Sequence, residues 1–497
     1  MKKAIVFIVI TLFSIFFGME TILAQSGFDE WRKKADQEFE AYQAKKDKEF
    51  QAYRDRVNAE FAEYMSRTWE KFPAFSAIPA PKSPEPVTPV VVEPEKKPTI
   101  DRLPFDNIKP LPPPTPRPQP IAPILLPDSE MPKVNVSESV KPFLFLFYNT
   151  ECKVSLDDIH RFSLSDVSEQ SITQAWKILS GSQYDGVVHD CLVLRDLLNL
   201  CDWGYLQLLK AMSEKFFGKT SNEAVLLQMF ILTQSGYKVR IARTDNHLAL
   251  LVPFNQTIYG YVYMNIGGVK YYVINKELKG QSFYICNQEF PKEQYFSWQT
   301  RHPHLTEQLT ASKTFASILY PEMHVSIQAN QNLIDFYNNY PVTSEWDVYT
   351  IAGLSETVKQ MLYPMLQSAI AGKTKAEAAE MLLDFLQFAF DYQTDDKQFG
   401  YERPFFADEN FYYPYNNCKD RAILYCILVK ELLDLEVVLL HYPGHLTTAV
   451  YFPEEVSGDY LIIDGKKFVV CDPTYIGARI GMAMDQCKQE KAQVIKL

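Results

Sequence analysis

Apolar positions along the chain change their spacing several times, and each change marks a different kind of element. Lys2 and Lys3 precede an apolar run from Ala4 to Phe17, followed by the small residues Gly18 and Ala24. That order is the pattern of a secretory leader, so 1–24 reads as a signal peptide and the mature chain as exported, whether periplasmic, cell-surface or secreted. A retained membrane anchor is the second reading of the same residues. From Phe28 the aromatics recur every eleven residues, in FDEWRKKADQE, FEAYQAKKDKE, FQAYRDRVNAE and FAEYMSRTWEK. Phe28 and Trp31, Phe39 and Tyr42, Phe50 and Tyr53, and Phe61 and Tyr64 then share one helical face, because i and i+3 are neighbours. Eleven residues complete almost three turns, which keeps the stripe in line. A helical stalk over 28–72 is expected, a coiled coil that makes a homo-oligomer through its aromatics.

Periodicity stops at Pro73. Of the chain's 31 prolines, 20 lie between Pro73 and Pro142, so 73–142 is expected to be an extended proline-rich linker. In 143–325, helical spacing in DCLVLRDLLNLCDWGYLQLLKAMSEKF gives way to the strand-like YKVRIAR, HLALLVPF, YGYVYMNI and KYYVIN. The span 326–497 repeats that order: helical KAEAAEMLLDFLQFAF, an all-apolar stretch from Ala422 to Val429, then LEVVLLHY, HLTTAVYF, DYLIID and KKFVVCD. Two α+β globular parts are predicted.

Composition narrows the function. Acidic and basic residues are interspersed around a net charge of −11, which excludes a nucleic-acid footprint. Eight cysteines without a CxxC pair supply neither a disulfide scaffold nor a zinc knuckle, and no cofactor or metal is expected. One cysteine stands apart. In YYPYNNCKDRAILYCILV, Asn416 or Asn417 can cap a helix with Asp420 in its first turn, and a helix apolar all round must be buried. Cys418 then sits at the exposed tip of a core helix, where unpaired N–H groups and the macrodipole favour a thiolate.

A thiol nucleophile needs a base, and the base needs an orienting group. His445 opens a strand after Pro443-Gly444, and Asp472 ends one just before a proline. If those strands are antiparallel neighbours, a first residue meets a last residue at one sheet edge, provided that 453–463 is not inserted between them. Zinc held by Cys418, His445 and Cys471 is a rival reading, weakened because Cys471 and Asp472 point to opposite faces of a strand. Cys426 and His441 read as packing and strand residues.

In this order, Cys418 of NNCKDRA, His445 of HLTTAV and Asp472 of CDPTY resemble the catalytic core of the transglutaminase-like superfamily. The resemblance covers about 360–497 and implies a core similar to papain-type cysteine proteases, a central helix packed on an antiparallel sheet. It implies Cys418, His445 and Asp472 as a triad acting on a protein or peptide substrate through a thioester. Asn-Asn before the cysteine and Leu-Thr-Thr after the histidine depart from the family's usual flanks, and no calcium loop is present. The expected outcome is hydrolysis, as peptidase or amidase; the alternatives are an amine-accepting crosslinking enzyme and a non-catalytic scaffold.

A shift of 198 positions lays His247 on His445, Ala224 on Ala422, and Gly236-Tyr237 on Asp434-Leu435. Thr220 falls on Cys418 with Ser221 beside it, and one residue out of register Asn275 falls on Asp472. The span 143–325 therefore reads as a degenerate copy that has lost its nucleophile, retained for binding or packing.

Overall fold

The computed structural model describes residues 37, 41, 44–81, 103–110, 116–122 and 142–497, except 255, 276, 277, 279–281, 298 and 301. The leader 1–24 and its anchor alternative, the first repeats of the stalk and much of the linker lie outside the described residues.

Two apolar stretches become the helices around which each half is built. In α2 (Asn222–Gln234) every residue from Ala224 onward is buried, and in α3 (Cys418–Leu433) every residue from Lys419 to Val429 is buried. A helix with no polar face is satisfied only in the middle of a core. Side-chain oxygens cap both: Ser221 accepts from the Ala224 N–H, and Asn417 from the Lys419 N–H. Each helix ends before a left-handed residue, Gly236 at φ 87° and Asp434 at φ 50°, which are the positions matched by the 198-residue shift. At Gly236 a Cβ would stand 1.9 Å from the Gln119 carbonyl oxygen, so a linker residue dictates glycine there.

Five strands follow each helix. After α2 come β3 (Arg240–Thr244), β4 (His247–Pro253), β5 (Tyr263–Ile266), β6 (Val269–Val273) and β7 (Ser282–Cys286). After α3 come β8 (Val437–Tyr442), β9 (His445–Tyr451), β10 (Tyr460–Ile463), β11 (Lys466–Cys471) and β12 (Ala492–Lys496). With the edge strands β1 (Glu70–Pro73) and β2 (Phe105–Lys109), the sheets run β1-β7-β3-β4-β6-β5 and β2-β12-β8-β9-β11-β10. The two orders are identical. All pairings are antiparallel except β2 with β12. The expected α+β class holds, and α3 packs against β8 and β9.

Three boundaries differ from expectation. The helix α1 (44–65) stops short of 72, and the chain continues into β1 at the edge of the first sheet. The end of its aromatic stripe is covered from within the chain, Phe61 lying 5.0 Å from the rings of both Trp176 and Phe290, whereas Phe50 is exposed. The described parts of the linker are docked. Phe105–Lys109 forms an edge strand between Pro104 and Pro110, and Ile121 N–H donates to the Gln234 carbonyl at 3.4 Å. Edge strands tolerate flanking prolines because one side of the ladder is unpaired. Finally, a division at 325/326 would cut the hairpin Lys313–Ala316 with His324–Ile327, which packs on helix Glu356–Ile370 of the second half. The hairpin Phe143–Phe147 with Thr150–Val154 opens the first half in the same way, so the second begins before 313.

Candidate active site

The first turn of α3 is held by a buried polar cluster. Asp420 accepts from the Asn417 N–H and the Phe405 N–H, each at 3.0 Å, while Asn417 caps Lys419. The Asn417 amide donates to Asp395 Oδ1 at 2.7 Å, and the Lys419 ammonium donates to Asp395 Oδ2 at 2.5 Å and pairs with Glu402 at 3.1 Å. Burial, only partly offset by the Lys419 charge, pushes the Asp420 carboxyl up to about 7. Both neighbours of Cys418 in sequence are thus tied down. Cys418 itself remains partly exposed, the one cysteine of the eight that is not buried. Arg421, in the same turn, donates to Asn416 Oδ1 at 2.8 Å and the Phe390 carbonyl at 2.6 Å, and burial pulls its guanidinium down to about 10.

His445 follows the two-residue turn Pro443-Gly444, opposite Tyr442. β9 pairs directly with β11, Thr448 opposite Cys471, and β10 lies outside β11, so nothing is inserted between them. His445 Nε2 lies 2.8 Å from Asp472 Oδ2, and both side chains are buried. The Thr474 N–H donates to the other carboxylate oxygen at 2.9 Å, and Gln387 of helix Lys375–Phe388 donates to the Asp472 carbonyl at 3.2 Å. Nδ1 of His445 is buried without a hydrogen-bond partner among the described residues, and Cys418 lines the same cleft as the ring. Burial works against a charged ring, but the Asp472 charge and hydrogen bond, with Cys418 added, outweigh it and raise His445 to about 10.

The sequence-predicted residues Cys418, His445 and Asp472 are therefore brought to one place. Cys471 is not: its sulfur is buried 3.6 Å from the Val469 carbonyl, turned from the side that holds Asp472. Among the described residues no group of three His, Cys, Asp or Glu side chains could hold a metal ion. Cys426 is enclosed within α3, where burial pushes its thiol up.

Cys418 and His445 open into a cleft of ≈ 270 Å³ whose walls include Trp346, Tyr392, His441 and Tyr259. Trp346, Tyr392 and Tyr259 escaped the sequence reading, whereas His441, expected to be a strand residue, lies in β8. It lies across the hairpin from Leu446. Its ring is 5.6 Å from Trp346, and burial lowers its pKa. Pro81 also lines the cleft, its carbonyl accepting from the Glu402 N–H at 3.0 Å.

No family model, curated protein or solved structure matches this chain. What the site can do follows from its own geometry. The first half, for comparison, fills the same corner with structural bonds. Asn222 donates to the Asn246 carbonyl at 3.0 Å and accepts from the Leu248 N–H at 2.8 Å, Ser221 serves as the cap of α2, and Asn275 accepts from the Leu250 N–H at 3.0 Å.

The raised His445 pKa makes a prediction for stability. A folded value of about 10 against an ordinary 6.5 means that the protonated ring stabilises the fold fully below 6.5, and that this contribution shrinks as pH rises and is gone above about 10. Thermal unfolding of the native chain should fall across that window more steeply than that of Asp472→Asn, whose ring lacks the opposing charge. Parallel curves would show that the pair does not hold the proton.

Proposed function

We propose that the protein is an exported thiol enzyme with a transglutaminase-like core, hydrolysing amide bonds of a protein or peptide substrate through Cys418, His445 and Asp472. The observation that carries this reading is that His445, bonded through Nε2 to the Asp472 carboxylate, and Cys418, at the tip of a buried helix, line one cleft. An imidazolium beside a sulfur at a helix N-terminus favours the thiolate. The thiolate attacks the amide carbonyl, forming a C–S bond, and the tetrahedral centre expels the amine as its C–N bond breaks, with the His445 proton passing to the leaving nitrogen. Water then attacks the thioester, giving a proton to the imidazole, and the acid departs as the C–S bond breaks. Asp472 keeps the ring oriented and its charge matched throughout. Export rests on the leader 1–24 in the same reading.

The test is alkylation of Cys418 by iodoacetamide, followed by mass spectrometry across pH. At about pH 6, Cys418 should react at least ~10-fold faster than glutathione, and His445→Ala should remove that advantage. Reactivity equal to that of a free thiol would favour the scaffold alternative. In a parallel incubation with a glutamine peptide and a labelled amine, ammonia should appear without incorporated label; incorporation matching ammonia release would make the crosslinking alternative correct.

A further inference from the structure

The first half has no thiol at its helix tip, yet it reaches the second half's cleft. The turn after β4 extends across the boundary, and Ile258 bridges to Thr343. The Tyr259 N–H donates to the Val342 carbonyl at 3.1 Å, its hydroxyl donates to Ser344 Oγ at 3.3 Å, and Gly260 N–H donates to the Ile78 carbonyl at 2.8 Å. Bonds to two segments, 342–344 and Ile78, hold this turn and its half-exposed tyrosine in the lining of the cleft that Cys418 and His445 also line.

The lining also includes the aromatic Trp346 and Tyr392, and Leu446 next to the histidine in sequence. Charged groups in the lining are matched: the Lys419 ammonium lies 3.1 Å from Glu402 and also on Asp395. A charged side chain entering this space would lose water and find only paired charges, whereas an aromatic or branched aliphatic one would bury its surface against rings. We propose that the cleft selects acyl donors bearing an aromatic or branched aliphatic side chain next to the attacked carbonyl, and that Tyr259 is the specificity-determining residue, supplied by the half that lacks a nucleophile. This rests on the thiol-enzyme reading above. It also gives the degenerate half a role: a wall for its partner's cleft.

Two chloromethyl ketones, of N-acetylphenylalanine and N-acetylaspartate, test it on the full chain. Each alkylates a thiolate by displacing chloride, the C–S bond forming as the C–Cl bond breaks, so the ratio of their rates at Cys418 reads side-chain preference alone. Iodoacetamide, too small to touch the wall, is the control. The phenylalanyl reagent should label Cys418 roughly 10-fold faster or more than the aspartyl one, after each is normalised to its rate with glutathione. Tyr259→Ala should cut that ratio to about threefold or less with iodoacetamide labelling unchanged, and Tyr259→Phe should restore it. Because the ratio is measured within each variant, a partial loss of folded protein cancels. Equal rates for the two ketones on the native chain, or a Tyr259→Ala ratio equal to the native one, would overturn the proposal while leaving the thiol enzyme standing. If iodoacetamide itself shows Cys418 to be ordinary, both fall together.

Discussion

On the proposed thiol-enzyme reading, Cys418→Ser is expected to lose amide hydrolysis by roughly 10³-fold or more while keeping the fold. The catalytic loss follows from the exchange of a polarisable sulfur nucleophile for a hydroxyl that gives up its proton far less readily. Retention of the fold follows from how the helix tip is built. The caps of α3 are Asn417 and Asp420, neither of which uses the sulfur, and Cys418 is partly exposed with its neighbours fixed by Asp395 and Asp420. A one-atom change there should move stability by no more than about 0.5 kcal/mol. Ammonia release from a glutamine peptide gives the rate, and thermal unfolding gives the stability. Mass spectrometry of the quenched native protein should catch the acyl group on Cys418 and none on the serine variant. If Cys418→Ser retains the rate within about tenfold, the nucleophile lies elsewhere.

Much of this corner was readable in the chain because its determinants are local. An uninterrupted apolar run from Ala422 to Val429 can only be a core helix, an asparagine ahead of it can only help as a cap, and Pro443-Gly444 marks the start of a strand. The pairing of β9 with β11 needed one further condition, that β10 lie outside, and that condition is met. Long-range determinants were not readable. Tyr259 reaches the cleft only because its turn is stitched to 342–344, and no periodicity in either segment encodes that contact. The proline-rich stretch misled for a different reason. Proline density reports where a ladder cannot be completed on both sides, and Phe105–Lys109 needs one side only, against β12. Likewise the aromatic stripe of the stalk demands a cover without naming it. Around Phe61 the cover is Trp176 and Phe290 of the same chain.

Asp395→Ala should be the most destabilising single change near the site, by about 3–5 kcal/mol, the usual cost of stripping one partner from a buried ion pair. Its carboxylate receives the Lys419 ammonium at 2.5 Å, the Asn417 amide at 2.7 Å and the Arg403 N–H at 2.7 Å, all in the interior. Removal leaves Lys419 with Glu402 and Asn417 alone and leaves the Asn417 amide unmet, so the turn that presents Cys418 loosens. Turnover should therefore fall with stability even though Asp395 is not among the residues that line the cleft. Urea unfolding measures the first effect. A cycle with Lys419→Met separates it from a simple cavity: if the ion pair is the cause, removing the lysine as well should recover part of the loss, because a buried cation left with Glu402 as its one ion-pair partner is less well matched than no cation. Additive losses in the double variant would place the contribution of Asp395 in its bonds to Asn417 and Arg403 instead. A loss below about 1 kcal/mol for Asp395→Ala would mean that water reaches the cluster, and the rigid presentation of Cys418 argued from it would not hold.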